Sequence, residues 1–92
     1  MKVVLKSNFE VAGLFEQGSI EVQEGTSLRA LLDDLSQRCR LDFIHPKTGQ
    51  VNAGDFNITL NGKEHSFWSE GLDTCLQRGD EVRVLVMPLG GG

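Results

Sequence analysis

Long apolar runs, clusters of basic residues and close cysteine pairs are all missing from this 92-residue chain. No stretch approaches the roughly 18 apolar residues of a membrane span, so a soluble protein is expected. Nine Lys and Arg stand against thirteen Asp and Glu, a net charge of −4, and the basic residues are scattered. The electrostatic footprint of a nucleic-acid binder is therefore absent, and partners with basic grooves are favoured. Met1 leads into "KVVLK" rather than into a basic segment and a long apolar one, so no secretory leader is expected and the cytoplasm is the default compartment. In that setting Cys39 and Cys75 read as reduced thiols. A chain of this length makes one domain that buries about 60–65% of its extended surface. A deep, self-contained catalytic cleft is not expected, and no catalytic residue is assigned.

The first residues present a clear pattern. Met1, Val3 and Leu5 alternate with Lys2, Val4 and Lys6, the period of a strand with one buried face. "SIEVQ" alternates again through Ile20 and Val22, and Asn8, Gly13 and Gly18 mark turns between the two segments, which predicts a hairpin with a long loop. The period then changes. Leu28, Leu31, Leu32, Leu35 and Cys39 form one stripe of an amphipathic helix, with Thr26 or Ser27 to cap its first turn. Residues 41–55 hold Pro46, Gly49 and Gly54 without a sustained period, and are expected to form a long surface connection. Phe56, Ile58 and Leu60 alternate into Asn61-Gly62, a strong hairpin signal. "KEHSF" is the expected return strand, and "WSEGLDTCLQ" an irregular turn or a single helical one. In the last strand Val82, Val84 and Val86 face one way and Arg83, Leu85 and Met87 the other. One helix on a small mixed sheet of four to five strands buries all of these patterns in a single core, an α+β fold in ββαββ order.

The chain closes on "RVLVMPLGGG", a stiff strand followed by three glycines. A terminal glycine run costs order and contributes no packing. Its presence suggests that the free carboxylate of Gly92 is the working group of the molecule, with residues 1–87 forming a folded body and 88–92 a flexible tail.

"EGTSLRALLDDL" at the helix, "NITLNG" in the third strand and "LQRGDEVRVLVMPLGGG" at the end together resemble the ubiquitin-like β-grasp proteins, and more narrowly the MoaD/ThiS group of sulfur carriers. The likeness extends over nearly the full length. It implies that an ATP-dependent E1-like adenylyltransferase of the MoeB/ThiF type adenylates Gly92, and that sulfur from a donor enzyme then leaves a C-terminal thiocarboxylate. The acceptor would be a biosynthetic enzyme such as the large subunit of molybdopterin synthase, with thiamin or cysteine synthesis as further destinations. No bound cofactor is implied. A modifier joined to lysines through the same glycine is the alternative, and a plain interaction domain with an idle tail is a third reading.

Glycine suits delivery of a chain end, because without Cβ the backbone passes through a narrow channel in almost any conformation. Pro88 to Gly92, fully extended, reach roughly 17 Å. Pro88 also ends the strand ladder at the root of the tail. If Val82, Val84 and Val86 pack under the helix, Leu85 and Met87 emerge on the opposite sheet face with Leu89 just beyond, and these residues with Pro88 form the expected partner surface. Cover by the 41–55 segment is the other possibility. The third glycine leaves open whether Gly92 or, after trimming, Gly91 reacts, with Gly90 and Gly91 otherwise serving as tether.

Other signals carry less. Cys39, His45, His65 and Cys75 match no zinc-ligand spacing, and Cys39 sits on the helix's core stripe as a small hydrophobe. A Cys75–His65 catalytic pair lacks any sign of an oxyanion pocket. "RGD" at Arg78–Asp80 is explained as turn chemistry, Asp33 and Asp34 as a solvated helix face, and Trp68 as a core anchor or a contact residue.

Overall fold

A computed structural model of the chain describes residues 1–8, 18–52 and 54–87. Strand β1 spans Lys2–Ser7, β2 Ser19–Glu21, helix α1 Leu28–Cys39, β3 Phe56–Leu60, β4 Lys63–Glu64 and β5 Glu81–Val86. They form one five-stranded sheet in the order β2-β1-β5-β3-β4. The register sets Val3 opposite Ile20, Leu5 opposite Val82 and Ile58 opposite Val84. β1 and β5 are the parallel pair, so the last strand lies beside the first at the centre of the sheet. A parallel pair cannot be closed by a tight turn, and the long crossover between these two carries the helix. The expected α+β, β-grasp architecture is the observed one, with the full five strands.

The alternations resolve as their periods dictate. Val3, Leu5, Ile58, Leu60, Val82 and Val84 are buried on the inner face together with Leu28, Leu31, Leu32 and Leu35 of the helix. Helix stripe and sheet face thus share one core. Ser27 is the N-cap: its Oγ accepts from Ala30 N–H at 3.1 Å, whereas the Thr26 hydroxyl turns back to donate to Gln23 O. Replacing Ser27 with Ala should cost about 1 kcal/mol. Thermal unfolding should register this as a midpoint lower by about 4–8 °C; an unchanged midpoint would mean that the first turn is held by other bonds.

The 41–55 segment runs over the surface at most of its described residues, as its composition suggested, but it is anchored in the core at two points. Phe43 is fully buried and meets Phe56 edge to face, ring centroids 4.8 Å apart, while Val51 is buried and pairs through an isolated bridge with Ile44. Arg29 of the helix donates to Gly49 O at 2.6 Å and ties the segment down. A single aromatic plug has no period, which is why alternation could not reveal it.

Asn61 and Gly62 both take positive φ, 54° and 81°, as the tight hairpin requires. The return strand is only Lys63–Glu64, shorter than "KEHSF" suggested, because the chain coils into a 3-10 turn at His65–Phe67. The Glu64 carboxylate accepts from Ser66 N–H and caps that turn. The Trp68 indole N–H, half-buried against the core, donates to the carbonyls of Leu60 and Lys63. A second 3-10 turn, Gly71–Asp73, lies within "WSEGLDTCLQ" and is the single helical turn that was one of the two readings of that stretch. At "RGD", Gly79 has φ 83° and Asp80 accepts from Gln77 N–H and from the Asn61 side chain, so turn chemistry accounts for it.

Candidate docking face at the end of the last strand

Strand β5 has two faces of different character because its residues alternate. Val82 and Val84 point into the core, and Val86 packs half-buried against its edge. On the opposite face Glu81 stands between two cations, Lys6 Nζ at 3.3 Å and Arg83 at 3.4 Å. These pairs are solvent-exposed and contribute little to stability. Towards the strand's end the same face becomes apolar: Leu85, opposite Asn57, is half-buried, and Met87 is 41% exposed. The face is therefore charged at one end and apolar where the chain leaves the sheet. An exposed thioether at such a point is an adaptable contact surface.

The 41–55 segment sends Phe43 and Val51 to the core and reaches the end of β5 at Asp55, whose carbonyl accepts from Met87 N–H at 2.7 Å. From the other flank Asn8 makes two bonds to Val86: its Oδ1 accepts from the N–H at 2.8 Å and its Nδ2 donates to the carbonyl at 2.9 Å. Pro88, Leu89, Gly90, Gly91 and Gly92 lie outside the described residues.

The model of the ThiS family matches residues 4–92. The chain belongs to the ThiS family. Three solved structures place this ThiS-family chain among its neighbours. The solution structure of the Haloferax volcanii HVO 2177 protein has a TM-score of 0.70 and 26% identity, covering 100% of this chain and 87% of that one. SAMP1 of the same organism, a small archaeal modifier protein, has a TM-score of 0.66 and 18% identity over 100% of both chains. A chain of the Amycolatopsis orientalis BexX/CysO complex has a TM-score of 0.57 and 19% identity, covering 97% of this chain and 99% of that one. No curated protein sequence matches. With the observed fold, these findings make the ThiS-family chain a small protein of the ubiquitin-like β-grasp fold. No helix of the described residues is long and apolar enough to cross a membrane.

Two further ion pairs of the ThiS-family body have local structural roles. His65 Nδ1 lies 2.8 Å from Glu64 Oε1 at the start of the 3-10 turn, and Asp34 pairs with Arg38 one helical turn on. No three His, Cys, Asp or Glu among the described residues are gathered in a way that could hold a metal ion. Cys39 and Cys75 are unpaired. Cys39 is half-buried at the end of the helix stripe, and burial raises its thiol pKa, with the Arg38 guanidinium partly offsetting this. Cys75 is exposed. Since the thiolate is the nucleophile, an alkylating reagent at neutral pH should modify Cys75 well ahead of Cys39; equal rates would show Cys39 to be accessible. A thiol whose pKa is raised by folding stabilises the fold below its unfolded pKa and ceases to do so as pH climbs through the folded one. The Cys39 contribution should thus fade only in the alkaline range.

Sequence patterns passed over two features. Phe67 was placed in a return strand, yet it lies on the 3-10 turn and is 74% exposed. Asn8 reads from the sequence as a turn signal and does lie at a bend, but its carboxamide also bonds to Val86, 78 residues away in sequence. An asparagine at the end of a strand was the available signal, but nothing local says which strand it will meet.

Proposed function

We propose that the protein is a sulfur carrier whose C-terminal glycine is activated as an acyl-adenylate and converted to a thiocarboxylate. The observation that carries this reading is the family match running through the last strand and the three glycines to Gly92. Placement of β5 at the centre of the sheet supports it: the tail follows directly from the most firmly held strand. A carboxylate is a poor acyl donor because oxide is a poor leaving group, whereas its mixed anhydride with AMP is attacked readily. The activating enzyme supplies ATP and the sulfur donor supplies the nucleophile. The carrier contributes an acyl group and an address, not a general acid or base.

The body docks through Leu85, Met87 and Leu89 on an E1-like adenylyltransferase, while Pro88 and the glycines thread towards the nucleotide. The sulfur then goes to a biosynthetic enzyme. Molybdopterin synthesis leads by the family resemblance, and thiamin or cysteine synthesis follow. Occurrence of a similar chain in the BexX/CysO complex supports delivery to a partner docked against the body. The likeness to a small archaeal modifier favours one second reading, conjugation of the same glycine to lysines.

Mass spectrometry of the intact protein recovered from its own cells tests the proposal. A fraction heavier by the exchange of one oxygen for sulfur, at the C-terminal residue, is the expected result. Branched glycine remnants on other proteins, without that thioacid, would transfer the assignment to the modifier.

A further inference from the structure

We infer that Asn8 is a positioning residue for the tail, holding the end of β5 in the sheet so that the chain departs from a fixed root. This rests on the carrier reading above. Paired register between β1 and β5 ends with Ser7 opposite Val84, two residues before β5 itself ends at Val86. Beyond that point the strand flank towards β1 has backbone polar groups that the ladder does not serve. The Asn8 side chain serves them. Its Oδ1 takes the Val86 N–H at 2.8 Å and its Nδ2 reaches the Val86 carbonyl at 2.9 Å. A carboxamide carries donor and acceptor side by side in one plane, as a peptide group does, so it completes the ladder where the β1 backbone no longer does. On the other flank Phe56 pairs with Val86 and Asp55 O accepts from Met87 N–H at 2.7 Å. Val86 is thus gripped from both sides immediately before the tail.

Delivery of a chain end is an entropic problem. Each backbone residue that must be ordered when the tail enters an enzyme lowers the fraction of productive engagements. Releasing Val86 and Met87 from the sheet would lengthen the stretch that must be ordered on engagement and let its origin wander. A side chain that prevents this acts on the reaction without touching the reacting atoms.

The opposite end of β5 provides the control. There Asn61 Oδ1 accepts from Glu81 N–H at 2.8 Å, the same chemistry at a position remote from the tail. Asn61→Gly removes that bond, together with the one its Nδ2 donates to Asp80, and keeps the positive φ unstrained. The full-length chain is assayed with ATP and a cognate activating enzyme below the unfolding transition of every variant. Asn8→Ala should lower kcat/KM for adenylation about fivefold, the loss expected when one net hydrogen bond's worth of restraint is removed. Asn61→Gly should stay within about twofold of the parent. Amide exchange at Val86, which requires no enzyme, should accelerate in Asn8→Ala and not in Asn61→Gly. Equal losses of activity in the two variants would reduce Asn8 to a structural residue and overturn the inference. So would faster Val86 exchange with an unchanged adenylation rate. A parent chain that is never adenylated would instead defeat the carrier reading, and the role of Asn8 in delivery would fall with it, while the exchange data would still report the clamp.

Discussion

A chain lacking Gly91 and Gly92 should give neither acyl-adenylate nor thiocarboxylate when supplied with ATP, a cognate activating enzyme and a sulfur donor. Two extended residues span about 7 Å, so the new terminus stops that far short of the nucleotide if the body docks unchanged. Misplacement of a reacting group by about 1 Å can already cost 10²-fold, which takes the truncated chain below detection in a pyrophosphate-exchange assay. The folded body should not register the loss, because the core lies within residues 3–84 and every member of it remains. Thermal unfolding of the truncated and full-length proteins should coincide. Normal activation of the truncated chain would show that the glycines are idle. Removal of Gly92 alone separates the two candidate reactive residues: retained activity would assign the chemistry to Gly91.

Phe43→Ala should be the most damaging single substitution in the body. Phe43 is fully buried, and its ring meets that of Phe56 edge-on with centroids 4.8 Å apart. Truncating a buried Phe costs about 3–5 kcal/mol, combining lost transfer energy with the cavity left behind. Small domains have only about 5–15 kcal/mol in total, so the denaturant midpoint should fall by a large fraction while the slope of the transition stays the same. Loss of less than about 1 kcal/mol would mean that the 41–55 segment collapses into the vacated space. Phe56→Ala would then be expected to show the same tolerance, since the two rings share one contact.

Legibility followed the range of the interactions. The β1, β3 and β5 alternations and the α1 stripe emerged correctly because each is a local repeat that one buried face imposes, and Val3, Ile58, Val84 and Leu32 all lie where their periods put them. The Asn61-Gly62 turn was readable because its positive φ values demand those residue types. Where a segment is held by one side chain in place of a repeat, the pattern was incomplete. Residues 41–55 run over the surface yet are anchored in the core by Phe43 and Val51, and "KEHSF" leaves the sheet after Glu64 because that carboxylate caps a 3-10 turn while Trp68 bonds back to Leu60 and Lys63. On the candidate docking face, Leu85 and Met87 were correctly set opposite the valines by alternation, but the two bonds from Asn8 and the one from Asp55 belong to contacts across the sheet that no local period encodes.

Composition and periodicity by themselves determined that a leucine-striped helix packs over a valine-rich sheet, and that the last strand runs into glycine. These are properties of the chain's own covalent order, set by which residues avoid water and which backbones tolerate positive φ. Tertiary structure alone decided that the last strand lies parallel to the first, that an aperiodic segment plugs the core with Phe43, and that Asn8 grips the root of the tail. Each of those depends on two distant stretches meeting in space, and the free energy of that meeting is a property of the assembled core rather than of either stretch.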